Sequence, residues 1–79
     1  MVEIRFDKKF SQIFSSLDNS LKQKVVKQIK KISGNPTVGK PMMHDRKGTR
    51  ELYVAPFRLS YLVLGNMVYI LDLYHKKKQ

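Results

Sequence analysis

The sequence has no cysteine and no tryptophan, and acidic residues are scarce: 6 Asp and Glu stand against 16 Lys and Arg in 79 residues. The absence of cysteine excludes a disulfide framework, thiolate metal ligands and a thiol nucleophile. No apolar run approaches the roughly 20 residues of a membrane-spanning helix, since Ser60, Gly65 and Asn66 interrupt the most apolar stretch, residues 59–71. The amino terminus also lacks an apolar segment of signal-peptide length. We therefore expect a cytoplasmic protein without a membrane partner.

The residues that are present predict one small and very basic domain. The formal net charge is +10, and apolar residues make up 42% of the chain, which is too much for a disordered basic tail. A chain of this length buries only about 60 to 65% of its unfolded surface. Residues 1–79 should therefore form a single domain with its functional site on the outside of one core, and residues 75–79 a basic tail.

The first half of the chain predicts a strand followed by two helices. Residues 2–6 alternate between apolar and polar side chains, as a half-buried strand does. Asp7 suits an N-cap, and apolar residues then recur at helical spacing to about Leu17. Residues 18–20 offer three capping side chains before a second amphipathic stretch. Gly34 suits the left-handed position just past that second helix.

The second half predicts a loop and then strands. Residues 35–49 are interrupted by prolines and glycines, with room for a short strand or turn near Met42. Residues 50–55 and 57–64 are expected to be strands, separated by Pro56 at a bend, a bulge or an edge. Together with the first strand and a last one, they predict an α+β fold with two helices on an antiparallel sheet of about four strands.

The dipeptide Gly65-Asn66 predicts a two-residue hairpin turn between residues 57–64 and a last strand, residues 67–74. Regular pairing from that turn places Arg58 opposite Leu73. It also assigns Tyr74 to the sheet face opposite that of Arg58, because alternate residues point to opposite faces.

The basic residues fall into two groups. The lysines of the second helix have the spacing of a solvated helix face. The other group belongs to the central loop and the ends of strands, where functional groups concentrate, and it would attract a polyanion. This group comprises Lys40, His44, Arg46, Lys47, Arg50, Arg58 and His75 to Lys78, with Lys40, His44, Arg46, Lys47, Lys77 and Lys78 as candidate RNA-binding residues.

Cationic side chains alone can cleave RNA, because the 2′-hydroxyl of RNA is the nucleophile and the protein has only to position it, move protons and stabilise the phosphorane. Arg58 is the best candidate for stabilisation, since it lies alone in an apolar strand. It could equally pair with Asp72 or Glu51. His75, Glu51 or a lysine could move protons. Phosphate loops of the Walker type and metal-ligand spacing are absent, so neither a cofactor nor a metal is expected.

Several strings in this order resemble the RelE/ParE toxin superfamily, and the similarity extends over nearly the whole chain. Each string is weak by itself, whereas their order and spacing are fairly specific. The strings are Val2 to Phe6 with Lys8 to Phe10, Asn35-Pro36, Gly39 to Pro41, Gly48 to Val54, Phe57 to Tyr61, Gly65 to Leu71 and His75-Lys76.

The resemblance implies site residues and partners. RelE-like members are metal-independent endoribonucleases that cut mRNA in the ribosomal A site with basic residues on a concave sheet face. Arg58 matches the arginine that contacts the scissile phosphate, and Arg50 or Lys47 lies near the basic positions before it. His75 and Lys76 match the basic residues that follow the last strand in the family. Glu51 lies near positions where some members have an acidic base, and Tyr74 is the tyrosine that remains for the catalytic tyrosine of many members.

Two alternatives to the mRNA interferase remain open from the sequence. ParE-like members of the superfamily inhibit DNA gyrase by protein contact and need no nuclease residues. A relative could also keep the fold and only bind. Every toxin hypothesis implies an acidic antitoxin, which the charge of +10 would capture quickly, and the interferase hypothesis adds the ribosome and mRNA as partners.

Overall fold

The computed structural model describes residues 2–75 as two helices on a five-stranded sheet. The strand order is β1-β5-β4-β3-β2. The elements are β1 (Glu3–Phe6), α1 (Lys8–Ser15), α2 (Asn19–Gly34), β2 (Lys40–Pro41), a 3₁₀ turn (His44–Arg46), β3 (Thr49–Val54), β4 (Phe57–Leu64) and β5 (Met67–His75).

Both helices begin at the aspartates that the sequence indicated. The Asp7 carboxylate accepts a hydrogen bond from the Lys9 N–H at 3.0 Å, and the Asp18 carboxylate accepts one from the Leu21 N–H at 2.8 Å. The end of α2 differs from the prediction. Gly34 is its last helical residue, and Asn35, at φ −151°, is the cap. The Asn35 N–H donates to the carbonyls of Lys31 and Ile32, so the helix closes without a left-handed glycine.

The sheet has one more strand than the four expected, and it is mixed. The added strand is β2, a two-residue edge that pairs with β3 through Lys40 and Pro41. The first strand, β1, lies parallel to β5, while the other neighbours are antiparallel. The second half of the chain thus forms three long strands joined by tight turns, as its sequence predicts, and Gly65 takes the positive φ of 60° that the second turn requires.

The pairing of β4 with β5 departs from the predicted register. Leu64 faces Met67 as expected, but the register shifts after Tyr61, because Tyr61 pairs with Ile70 and Ser60 pairs with Asp72. Leu71 is thereby the extra residue of a β-bulge. Arg58 consequently faces Tyr74 rather than Leu73, and Tyr74 lies on the same sheet face as Arg58 instead of the opposite one.

The core lies between the helices and one face of the sheet. Val25 and Ile32 of α2 are fully buried against Leu59, Tyr61 and Ile70. We call the opposite side of the sheet the open face. In the part of the chain that the structure describes, no helix is long and apolar enough to cross a membrane.

Candidate functional site

The open face of the sheet presents two adjacent rows of polar residues. Pairing across β3, β4 and β5 aligns one row of Tyr53, Arg58 and Tyr74 with a second row of Glu51, Ser60 and Asp72. The residues of one row point to the same side of the sheet. The two rows also share a face, because Glu51 and Tyr53 are two residues apart on β3. The bulge at Leu71 is what brings the β5 members onto this face.

Glu51 is the centre of a hydrogen-bonded cluster. Its carboxylate is buried, with 2% of the residue exposed, and Oε2 accepts hydrogen bonds from the Tyr74 hydroxyl and from Arg46 Nη1 at 3.1 Å. Arg46 Nη1 also donates to the Tyr74 hydroxyl oxygen at 2.6 Å, and its guanidinium lies 4.9 Å from the centre of the Tyr74 ring. One carboxylate and one phenol therefore hold the Arg46 head.

The 3₁₀ turn brings Arg46 to this cluster. His44 opens the turn with a φ of 61°, and Gly48 closes the loop with a φ of 99°, a conformation that glycine adopts without strain. The Thr49 hydroxyl donates to the Arg46 carbonyl at 2.7 Å, which fixes the turn to the start of β3. A residue of the loop between β2 and β3 thereby extends over the open face of the sheet.

Arg58 lies beside the same carboxylate without a hydrogen bond to it. Its Nη1 is 4.0 Å from Glu51 Oε1, and its guanidinium lies 5.9 Å from the centre of the Tyr53 ring. Among the described residues, neither Glu51 Oε1 nor Arg58 Nε has a hydrogen-bond partner. Of the two pairings that the sequence left open, the structure places Arg58 near Glu51, whereas Asp72 pairs with Lys9 at 3.2 Å.

A hollow of about 540 Å³ opens next to this cluster. Its wall combines two basic side chains with two carboxylates and several hydroxyl groups, so the hollow is polar but not uniformly cationic. The lining residues are Lys9, Asp45, Arg46, Thr49, Ser60, Leu71, Asp72 and Tyr74.

The electrostatics keep Arg46 charged. The hydrogen bond with Tyr74, reinforced by the nearby Glu51 carboxylate, raises the pKa of Arg46 above its ordinary value. An arginine in this state is a permanent cation and a hydrogen-bond donor rather than a proton carrier. The guanidinium can therefore neutralise a phosphate but cannot act as a general base.

Some predicted site residues do not join the cluster. Arg50 pairs with Tyr61 and shares its helix-side face, where Nη1 donates to the carbonyls of Thr37 and Gly39. His75 faces Phe57 across the sheet, and the two rings meet edge to face with their centres 5.8 Å apart. The Glu51 side chain is in the cluster but has no exposed surface. The structure thus brings together Arg58, Arg46, Tyr74 and Glu51, and leaves Arg50 and His75 apart from them.

The other basic candidates are peripheral or lie outside the described residues. Lys40, His44 and Lys47 are exposed on β2 and around the 3₁₀ turn. Lys76, Lys77 and Lys78 fall outside residues 2–75. No group of three or more histidines and carboxylates suited to a metal ion occurs in that range.

Six of the eight residues that line the hollow were not predicted as site residues, among them Lys9 and Leu71. Lys9 comes from the first turn of α1 and is near the sheet because Asp7 N–H donates to the Ile70 carbonyl, at 2.8 Å. Leu71 enters through the β-bulge. Neither has a sequence signal that distinguishes it from an ordinary surface lysine or an ordinary strand leucine.

A second, apolar groove lies on the helix side of the molecule. It encloses about 360 Å³ between β1, α1 and α2, and it exposes 53% of Phe6 and 39% of Val26. The rings of Phe6 and Phe10 stack with their centres 5.8 Å apart, and Phe14 continues the row at 5.7 Å. Phe6 and Val26 thus present exposed apolar surface in this groove, whereas Phe10 is buried.

Comparison with known proteins identifies the fold. No family model and no curated protein matches the sequence. Among solved structures, the isolated RelE toxin of E. coli superposes with a TM-score of 0.83 at 12% identity, covering 100% of this chain and 88% of that one. The toxin-antitoxin complex RelBE2 of Mycobacterium tuberculosis gives 0.83 at 25% identity, with 95% and 98% covered.

The YoeB-YefM complex of Staphylococcus aureus is also similar, with a TM-score of 0.78 at 18% identity over 95% of this chain and 97% of that one. These neighbours confirm the resemblance that the sequence strings suggested. The alignments cover most of this chain and most of each neighbour, so the likeness concerns the whole domain rather than a shared motif. The chain has the fold of the RelE-like toxin superfamily.

Proposed function

We propose that this protein is the toxin of a toxin-antitoxin module and cleaves mRNA on the ribosome. The observation that supports the proposal best is the convergence of Arg58, Arg46 and Tyr74 on the open face of the sheet, next to a polar hollow. Two guanidiniums can stabilise the negative charge of the phosphorane, and a phenol can take part in proton transfer.

The proposed chemistry needs no water. The 2′-oxygen of the RNA forms a bond to the adjacent phosphorus while the bond to the 5′-oxygen breaks, leaving a 2′,3′-cyclic phosphate and a 5′-hydroxyl. Arg58 would contact the phosphate oxygens through the part of its side chain that remains accessible, since 26% of that side chain is exposed. Arg46 would add a second positive charge, and Tyr74 is the titratable hydroxyl at the rim of the hollow that could exchange a proton with the reacting oxygens.

An acidic antitoxin segment fits the apolar groove of Phe6, Phe10 and Phe14. The flanking helix α2 contains five lysines and no acidic residue, and Lys22 lies 5.8 Å from the centre of the Phe14 ring. An amphipathic segment could therefore bury its apolar side in the groove and pair its carboxylates with the lysines. Binding of this kind would leave the open face to be blocked by another part of the antitoxin.

Expression of the protein without a partner tests the proposal. Primer extension should show mRNA cut within codons in cells that express the wild type and no such cuts with Arg58→Ala. Arg5→Ala is the matched control, because Arg5 forms an exposed pair with Glu3 on the edge strand and should leave the cuts unchanged.

Two results would contradict the nuclease proposal. Growth arrest with intact mRNA and blocked supercoiling by purified DNA gyrase would identify a ParE-like gyrase inhibitor. Neither growth arrest nor cuts would identify a binding protein that keeps the fold alone.

A further inference from the structure

Glu51 is the buried acidic residue of the described chain, and the proposed cleavage gives it no direct role. A carboxylate without solvent is strongly unfavourable unless cations and hydrogen-bond donors surround it. Here those groups come from three separate elements: Arg46 from the 3₁₀ turn, Arg58 from β4 and Tyr74 from β5. One buried side chain on β3 is therefore the common contact of all three candidate catalytic groups.

The two carboxylate oxygens of Glu51 make different contacts with the two arginines. Oε2 accepts hydrogen bonds from both Arg46 and Tyr74, which fixes their positions relative to each other. Oε1 has Arg58 Nη1 at 4.0 Å and no hydrogen-bond partner in residues 2–75. Arg58 is thus held near the carboxylate by charge without a hydrogen bond to it, whereas Arg46 donates a hydrogen bond to the carboxylate.

We propose that Glu51 is a positioning residue, whose buried carboxylate orients Arg46 and Tyr74 and holds Arg58 beside them without touching RNA. The expected effect of Glu51 on the rate of cleavage rests on the proposed nuclease function. The anchoring of Arg46 by Glu51 does not depend on that function.

Glu51→Gln tests the proposal because it keeps the size of the side chain and removes its charge. The single-turnover rate of mRNA cleavage on programmed ribosomes should fall about 10- to 100-fold, because Arg46 and Tyr74 would lose the carboxylate that orients them. The apparent affinity for RNA should be unchanged or slightly higher, because the variant is more positive. Glu3→Gln makes the same charge change at the exposed Glu3–Arg5 pair and should leave both quantities as in the wild type.

A double variant separates positioning from general damage. If Glu51 acts partly through Arg46, then Glu51→Gln should lower the rate by a smaller factor in the Arg46→Ala background than in the wild type, since the effects of contacting residues are not additive. Independent multiplication of the two losses would overturn the proposal. So would a Glu51→Gln rate equal to that of Glu3→Gln.

NMR of the free protein provides a readout that needs no cleavage. A guanidinium fixed by hydrogen bonds has slowly exchanging Nη protons, so the Arg46 signals should be resolved in the wild type and should collapse in Glu51→Gln. If Glu51→Gln does not fold, the Arg46 signals are compared between the wild type and Tyr74→Phe instead. A freely rotating Arg46 guanidinium in the wild type would overturn the anchoring. A wild type that cleaves no mRNA but keeps an anchored Arg46 would reject the nuclease function and retain the anchor.

Discussion

Arg58 and Tyr74 stand directly opposite each other on β4 and β5. The pairing exists because Leu71 is the extra residue of a bulge, which moves every later residue of β5 to the other side of the sheet. Without it, the residue opposite Arg58 would be Leu73, a side chain that the actual structure buries in the core. A single added residue thus places a phenol beside the guanidinium and keeps the hydrophobic side of β5 intact.

Arg58→Ala should lower the rate of mRNA cleavage by about 10²- to 10³-fold, the usual effect of removing one donor that stabilises a charged transition state. Arg58→Lys should recover only part of the loss, because lysine keeps the charge but not the planar fork that matches a phosphate. Single-turnover cleavage of ribosome-bound mRNA measures both variants. Full activity of Arg58→Lys would contradict a role for the planar geometry of the guanidinium.

Tyr74→Phe should reduce cleavage while leaving the fold in place, because it removes the hydroxyl that links Arg46 to Glu51 and keeps the ring. Tyr69→Phe removes a hydroxyl from the same strand, away from the cluster, and is the matched control. Circular dichroism and the cleavage rate should be compared for the two variants. Equal rates for both would show that the Tyr74 hydroxyl has no part in the reaction.

RNA binding by the free protein should weaken steeply with salt, because phosphate contacts release counterions. Each phosphate contact with a single strand contributes about 0.7 to the slope of log K against log salt. Arg58→Ala should therefore lower the slope by about 0.7, and Arg5→Ala should leave it unchanged. The titration of a short single-stranded RNA at several salt concentrations gives the slopes. A flat wild-type affinity would argue against a cationic site.

Much of the fold follows from local chemistry in the sequence. The caps at Asp7 and Asp18, the helical spacing of apolar residues and the turn at Gly65-Asn66 each depend on a few neighbouring residues, so they can be recognised without coordinates. The order of these elements was enough to suggest the superfamily, and the solved structures confirm it at the level of the fold.

The arrangement of the site could not be predicted in the same way. A β-bulge depends on which register buries the most apolar surface across two strands, and Leu71 looks like any other strand residue. The position of Arg46 depends on the loop path through His44 and Gly48. The sequence therefore indicated Arg58, Glu51 and Tyr74 as candidate catalytic residues, but it placed Tyr74 on the wrong face and named Arg46 only as a candidate RNA-binding residue.

Gly39→Ala should destabilise the protein, because a Cβ at Gly39 would lie 2.6 Å from the Tyr61 hydroxyl oxygen and 3.0 Å from the Glu51 carbonyl oxygen. The backbone of β3 would have to move, at a cost of about 1 to 3 kcal/mol. Gly34→Ala is the control: no atom lies within 4 Å of its Cβ, and replacing a helical glycine should stabilise by up to about 1 kcal/mol. Urea unfolding of both variants measures the difference, and equal stabilities would contradict the close approach at Gly39.

Tyr61 should make the stability of the protein fall at alkaline pH. Its hydroxyl accepts from the Gly39 N–H and donates to the Pro36 carbonyl, each at 2.8 Å. Burial raises the pKa of Tyr61, which outweighs the opposite effects of the Gly39 N–H and of Arg50. Because the folded state resists ionisation, the contribution of Tyr61 is complete below its unfolded pKa of about 10 and is lost as the pH rises through the folded-state value.

Tyr61→Phe isolates this contribution. Near neutral pH the variant should be less stable by about 1 to 3 kcal/mol, because the Gly39 N–H loses its acceptor inside the protein. Lysines and the other tyrosines titrate in both proteins, so the difference between the two free energies of unfolding reports on Tyr61. That difference should shrink as the pH rises above about 10. Urea unfolding at a series of pH values measures it, and a difference that stays constant across the series would mean that the Tyr61 hydroxyl ionises as easily in the folded protein as in the unfolded chain.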